Sequence, residues 1–97
     1  MGFTQIIEFE TNRIDEMNKL MKDWQEHAPG TPNTRGQICK DRDKKNTYLV
    51  IAEFPSYEEA MKNSNDPETQ QYAEQMGKLC SKAPTFRNLD QQETWQN

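Results

Sequence analysis

Residues 47–61 read TYLVIAEFPSYEEAM. The first eight are rich in β-branched and aromatic side chains and apolar on both alternating faces, which favours a strand over a helix. A strand apolar on both sides is usually central to its sheet. Pro55 ends it, and Ser56 with Glu59 three residues on forms a capping box. A short helix follows, expected to bury Tyr57, Ala60 and Met61.

Upstream, residues 35–42 form a strand whose only apolar positions are Ile38 and Cys39, the composition of an edge. Asp43-Lys44-Lys45-Asn46 turns the chain between the two strands, and residues 28–34, APGTPNT, form a loop. In the first strand, 3–10, Phe3, Ile7 and Phe9 share one face, with Thr4, Glu8 and Glu10 opposite. Asn12 is the expected cap of a first helix, with Asp15 in its first turn. Ile14, Met17, Leu20, Met21 and Trp24 recur at helical spacing, and Trp24 is expected to anchor the helix on the sheet. His27 sits in the last turn, and Pro29-Gly30 stops the helix.

Downstream, Asn63-Ser64-Asn65 breaks the second helix. Asp66 caps a third, with Pro67 at its first position and Glu68 in its first turn. Tyr72, Ala73, Met76, Leu79 and Cys80 form the stripe expected to be buried. Met17, Met21, Met61 and Met76 lie on helix stripes and read as core filler. After Pro84 a last strand runs from Thr85 to about residue 91, around Phe86 and Leu89, and a tail polar except for Trp95 follows. The order is β-α-β-β-α-α-β, with the last two helices acting as one broken unit. That is an α+β chain of the ferredoxin-like split βαβ kind, with a four-stranded antiparallel sheet in the order 4-1-3-2. Residues 1–97 are expected to form a single domain.

Composition narrows the function classes. Of 97 residues 32% are hydrophobic and 29% charged, so an isolated monomer is expected to be marginal and a homodimer is the natural remedy. The formal net charge is −4. The one basic cluster, Lys40, Arg42, Lys44 and Lys45, is interrupted by Asp41 and Asp43 and reads as a solvated turn. Nucleic-acid binding, which needs a concentrated basic face, is not expected. No apolar run approaches the roughly 18 residues of a membrane span, and the first residues lack the basic region and cleavage site of a signal peptide. One His and two distant cysteines, Cys39 and Cys80, supply too few ligands for a structural metal. Reduced thiols point to the cytoplasm. There is no nucleophile elbow and no Gly-rich phosphate loop, so any chemistry is expected to use acid–base groups in a pocket without a bound cofactor.

Three stretches, YLVIAEFPSYEEAM, NSNDPETQQYAEQM and APTFRNLD, together with the element order and the length, carry a resemblance across essentially the whole chain. The sequence resembles the dimeric α+β barrel superfamily, near its antibiotic-biosynthesis monooxygenase-like domains and their small bacterial members. The resemblance implies that two sheets from two subunits close a barrel, helices outside, with a cavity in each subunit. It also implies a range of activities: cofactor-free oxygenation of phenols, lactone isomerisation, polyketide cyclisation and haem degradation. The haem degraders carry a His on the helix before the last strand. Here residues 67–80 offer Tyr72, Gln75 and Met76 but no His, which departs from haem chemistry.

The candidate site residues each have two readings. His27 is either a general base at the cavity mouth or a residue complementing the negative helix end. Arg35, Gln37, Cys39 and Asp41 alternate along the second strand. Arg35 would position an acidic substrate or enolate oxygen and Asp41 would orient it, or the row is an edge strand's solvent face. Tyr48 is an acid or hydrogen-bond donor in a pocket, or ordinary packing. Asn88 binds a substrate carbonyl or shapes the strand's exit. Trp24 and Tyr72 complete the substrate-contacting candidates. Two functions follow: a cofactor-free monooxygenase, isomerase or cyclase (or binder) acting on a phenolic, quinoid or enolisable compound, or a non-catalytic, stress-associated or structural barrel.

Overall fold

In a computed structural model describing residues 2–27 and 34–96, β1 (Phe3–Glu10) pairs antiparallel with both β3 (Thr47–Phe54) and β4 (Thr85–Asp90). β3 also pairs antiparallel with β2 (Arg35–Lys40), so the sheet order is β2-β3-β1-β4. The polarity reading of the strands holds: doubly apolar β3 is central, and the polar β2 is an edge. α1 (Ile14–His27), α2 (Tyr57–Asn65) and α3 (Pro67–Leu79) complete the order β-α-β-β-α-α-β. Among the described residues no helix is long and apolar enough to cross a membrane.

All three helices pack on one face. Their buried side chains join two clusters with the odd-numbered residues of β1: Phe3 with Phe54 and Ala60, and Phe9 with Met17 and Met76. Ile7, Tyr48 and Val50 pack beside the second cluster, and Ala52 and Met61 beside the first. The register puts the even-numbered residues Thr4, Ile6, Glu8 and Glu10 on the opposite face, where none of the described helices lies.

Several local expectations change. Asn12 does not cap α1: Arg13 precedes the helix and its carbonyl accepts the Met17 N–H at 3.0 Å, while the buried Thr11 hydroxyl accepts the Arg13 N–H at 2.9 Å and donates to the Leu79 carbonyl at 2.6 Å. Asn12 instead accepts from the Asn46 amide at 3.0 Å. Met17, with 0% exposure, is what fixes α1, while Trp24 is half-buried and outside that cluster. Tyr57 is 51% exposed, lying edge-on to Phe3 with centroids 5.4 Å apart. Ala73 is exposed rather than part of the α3 stripe. β2 stops at Lys40, two residues early, because the Asp41 carboxylate accepts the N–H groups of Asp43 and Lys44 and bends the chain out of the strand. α2 runs to Asn65, so the break falls on Asp66. The two later caps stand as read: Ser56 accepts from Glu59 N–H, and Asp66 from Glu68 and Thr69 N–H.

Candidate functional site

The helix-free sheet face has an apolar centre. Ile6 pairs across to Ile51, Leu49 stands opposite Cys39, and Leu89 opposite Thr4. Ile6, Leu49 and Ile51 are half-buried and Leu89 is 43% exposed. Polar groups ring this centre. At one end Arg35 Nε approaches Glu53 at 3.8 Å, over a shallow cleft of about 100 Å³ lined by Gln37 and Ile51. At the other end, a larger cleft of about 330 Å³ lies over Thr47 and Thr85, between the β2–β3 turn and the segment entering β4. An apolar floor with convergent polar groups is the usual make-up of a small-molecule site.

Of the sequence candidates, the register brings Arg35 to this face, with Gln37 and Cys39 in the same row. The others lie elsewhere. Tyr48 is on the helix face, its ring stacked on Phe9 at 5.7 Å. Asn88 is also on the helix face and accepts from Gln5 at 3.2 Å. Asp41 lies beyond the end of β2, its carboxylate occupied by the turn. Tyr72 stands on α3 and donates to Asp23 of α1 at 2.7 Å, a bond that raises its pKa above the ordinary tyrosine value because the phenol must keep its proton to donate. Trp24 is on α1. His27 ends α1, and its side chain lies outside the described residues. Cys80, on the helix side, donates to the Met76 carbonyl, and burial pushes its thiol pKa up. Among the described residues no group of three or more His, Cys, Asp or Glu side chains is placed to hold a metal ion.

Glu8 is a feature the sequence reading placed on the opposite face without assigning it a role. It sits beside Leu49 and Thr85, its side chain 24% exposed, with Lys44 at 4.0 Å. The usable signal was the alternation of β1, which puts Glu8 and Glu10 next to Ile6 on a face that needs cover.

This architecture is that of the antibiotic-biosynthesis monooxygenase-like proteins: a ferredoxin-like β-α-β-β-α-α-β chain with helices on one sheet face. Among solved structures the chain is similar to SnoaB, a cofactor-independent oxygenase from Streptomyces nogalater, with a TM-score of 0.81, 17% identity, and 96% of this chain and 95% of that one covered. It is similar to a putative antibiotic biosynthesis monooxygenase from Caulobacter crescentus CB15, with a TM-score of 0.79, 15% identity, and 95% and 91% covered. A conserved protein from Methanosarcina mazei Go1 gives a TM-score of 0.84 at 6% identity, with 95% and 94% covered. No protein-family model matches the sequence. No curated protein matches it. Identities this low establish the fold and leave the chemistry to the residues.

Proposed function

We propose that the chain is a homodimeric small-molecule protein of the cofactor-independent monooxygenase kind, acting on a phenolic or enolisable compound held against the helix-free sheet face. The observation that carries this reading is the apolar centre of Ile6, Leu49 and Ile51, uncovered by the described helices and flanked at both ends by charged side chains. Burial of a flat aromatic ligand there, under the face of a second copy, removes water from both. Arg35 is the proposed positioning group, its guanidinium offering several donors to an enolate oxygen. His27 is the proposed base.

In this chemistry the base removes the substrate's acidic C–H or O–H proton. The enolate passes one electron to dioxygen, the radical pair recombines as a peroxide anion, and the protonated base returns its proton to give the hydroperoxide. Loss of water leaves the quinone carbonyl. Carbon is oxidised by dioxygen, and the protein supplies desolvation, orientation and one proton acceptor.

Oxygen uptake with a fused-ring phenolic ketone tests this directly. Turnover to the quinone is expected, falling about 10²-fold in Arg35→Ala, the scale for losing one oriented donor to a developing oxyanion. No uptake above the uncatalysed rate across a panel of such ketones overturns the oxygenase reading. A specific observation favours the second reading, a non-catalytic barrel: Asp41, Tyr72 and Asn88 are each engaged in contacts within the fold, and Tyr48 is packed in the core.

A further inference from the structure

The larger cleft, at the Glu10 end of the face, carries an inference of its own. Three lysines reach it from two loops that are far apart in sequence: Lys44 and Lys45 from the β2–β3 turn, and Lys82 from the segment between α3 and β4. Two carboxylates face them. Lys44 Nζ stands 4.0 Å from Glu8 and Lys82 Nζ stands 3.7 Å from Glu10. Both separations exceed hydrogen-bond distance, so the ammonium donors are not spent on those partners. Lys45 has no carboxylate within ion-pair distance among the described residues. Three ammonium groups against two carboxylates leave one excess positive charge, in a chain whose net charge is −4.

Both loops are held in place. Asn46, at φ 57°, turns the first one sharply, and its carbonyl accepts the Thr11 N–H at 3.0 Å. Asp41 N–H closes onto the Thr47 carbonyl at 2.9 Å. On the other side, Ser81 N–H donates to the Glu10 carbonyl at 2.8 Å, and the buried Thr11 hydroxyl binds the Leu79 carbonyl. Thr11 therefore ties both lysine-bearing segments to the end of β1, so the lysine stems start from fixed backbone. A cleft of about 330 Å³ accommodates a small organic anion, since ligand sites begin near 300 Å³.

The geometry points to a binding site for a small, multiply charged oxyanion, a phosphate or a polycarboxylate head group, bridged by Lys44, Lys45 and Lys82. Multiple charge is required because Glu8 and Glu10 oppose any anion. A single carboxylate is offset by them, whereas an anion spanning all three ammonium groups gains more than it loses. Lysine suits this task, acting as a flexible point charge rather than a planar fork. The site lies at the end of the face, beyond the Ile6–Ile51 centre, and stands whether or not the proposed oxygenase chemistry does.

The test is titration of the ¹⁵N-labelled full chain with inorganic phosphate and, separately, with citrate, both at constant ionic strength. Saturable shifts confined to the amides around Lys44, Lys45, Lys82 and Thr85 are expected with at least one of the two, and which one names the head group. A Lys45→Ala, Lys82→Ala double variant is expected to weaken binding about tenfold or more, while Glu8→Gln with Glu10→Gln is expected to strengthen it. The lysines are solvent-facing, and an unchanged amide spectrum elsewhere verifies that each variant is folded. Absence of saturable shifts with both anions overturns the site. So does binding that survives the lysine double variant unchanged, or that weakens when the glutamates are neutralised.

Discussion

Tyr72 shows how a single side chain can look like site chemistry in sequence and act as a strut in the fold. Its hydroxyl joins α3 to Asp23 on α1, and that hydrogen bond exists only while the phenol is protonated. Because the folded pKa is raised above the ordinary 10.0, the contribution is fully present below the unfolded pKa and is lost as pH rises through the folded one. Tyr72→Phe is therefore expected to lower the melting temperature at neutral pH, with the gap to the parent protein closing at pH well above 10. Absorbance at the tyrosinate band should lose one step, lying above the ordinary tyrosine value, in the same variant. A gap that stays constant into strong alkali would mean that the Asp23 bond contributes nothing. Asp41 makes the parallel point without titration, since one oxygen of its carboxylate already accepts two backbone N–H groups.

At the scale of elements, α1 is held by its middle. Met17 is fully enclosed between Phe9 and Met76, whereas Trp24, near the C-terminal end of the helix, is half-buried. Met17→Ala is expected to cost about 2–5 kcal/mol, as cavities in packed cores do, and Trp24→Ala clearly less. Chemical denaturation of both variants measures the order, and a larger loss at Trp24 would place the helix differently on the sheet. Both residues share the helical stripe that the sequence displays, but helical period alone does not say which turn meets the sheet. That depends on where β1 releases the chain, and Thr11 sets this through a contact to Leu79, 68 residues away. Elements governed by local rules were legible: the two-sided apolar β3, the Ser56 and Asp66 caps, and the polar edge β2 all stand as read. The candidate site was far less so. Strand alternation fixed Arg35's face through the register, but nothing local shows that Tyr48 and Asn88 turn toward the helices, or that Lys82 joins Lys44 and Lys45 across the fold.

For the whole molecule, the unresolved balance lies between two faces of one sheet. The helices enclose few side chains completely: Phe3, Phe9, Met17, Phe54, Ala60 and Met76 are the buried apolar residues among those described. A core that small leaves a domain of this length near the margin of stability. The opposite face meanwhile presents Ile6, Leu49, Ile51 and Leu89, an apolar set that three helices leave uncovered. Pairing this face with a second copy would bury both apolar centres at once, and the mixed charge of Arg35 with Glu53 at one end suits a self-complementary contact. The chain is therefore expected to run at twice its 11.4 kDa mass in light scattering at micromolar concentration. Ile51→Asp places a carboxylate in the apolar centre of this face on each copy. Desolvating those charges is expected to drive the dimer to monomer and to lower the melting temperature with it. Glu74→Gln on the exposed side of α3 should change neither. A parent protein that stays folded and monomeric at these concentrations would overturn the pairing, and with it the enclosed cavity on which the proposed oxygenase chemistry depends.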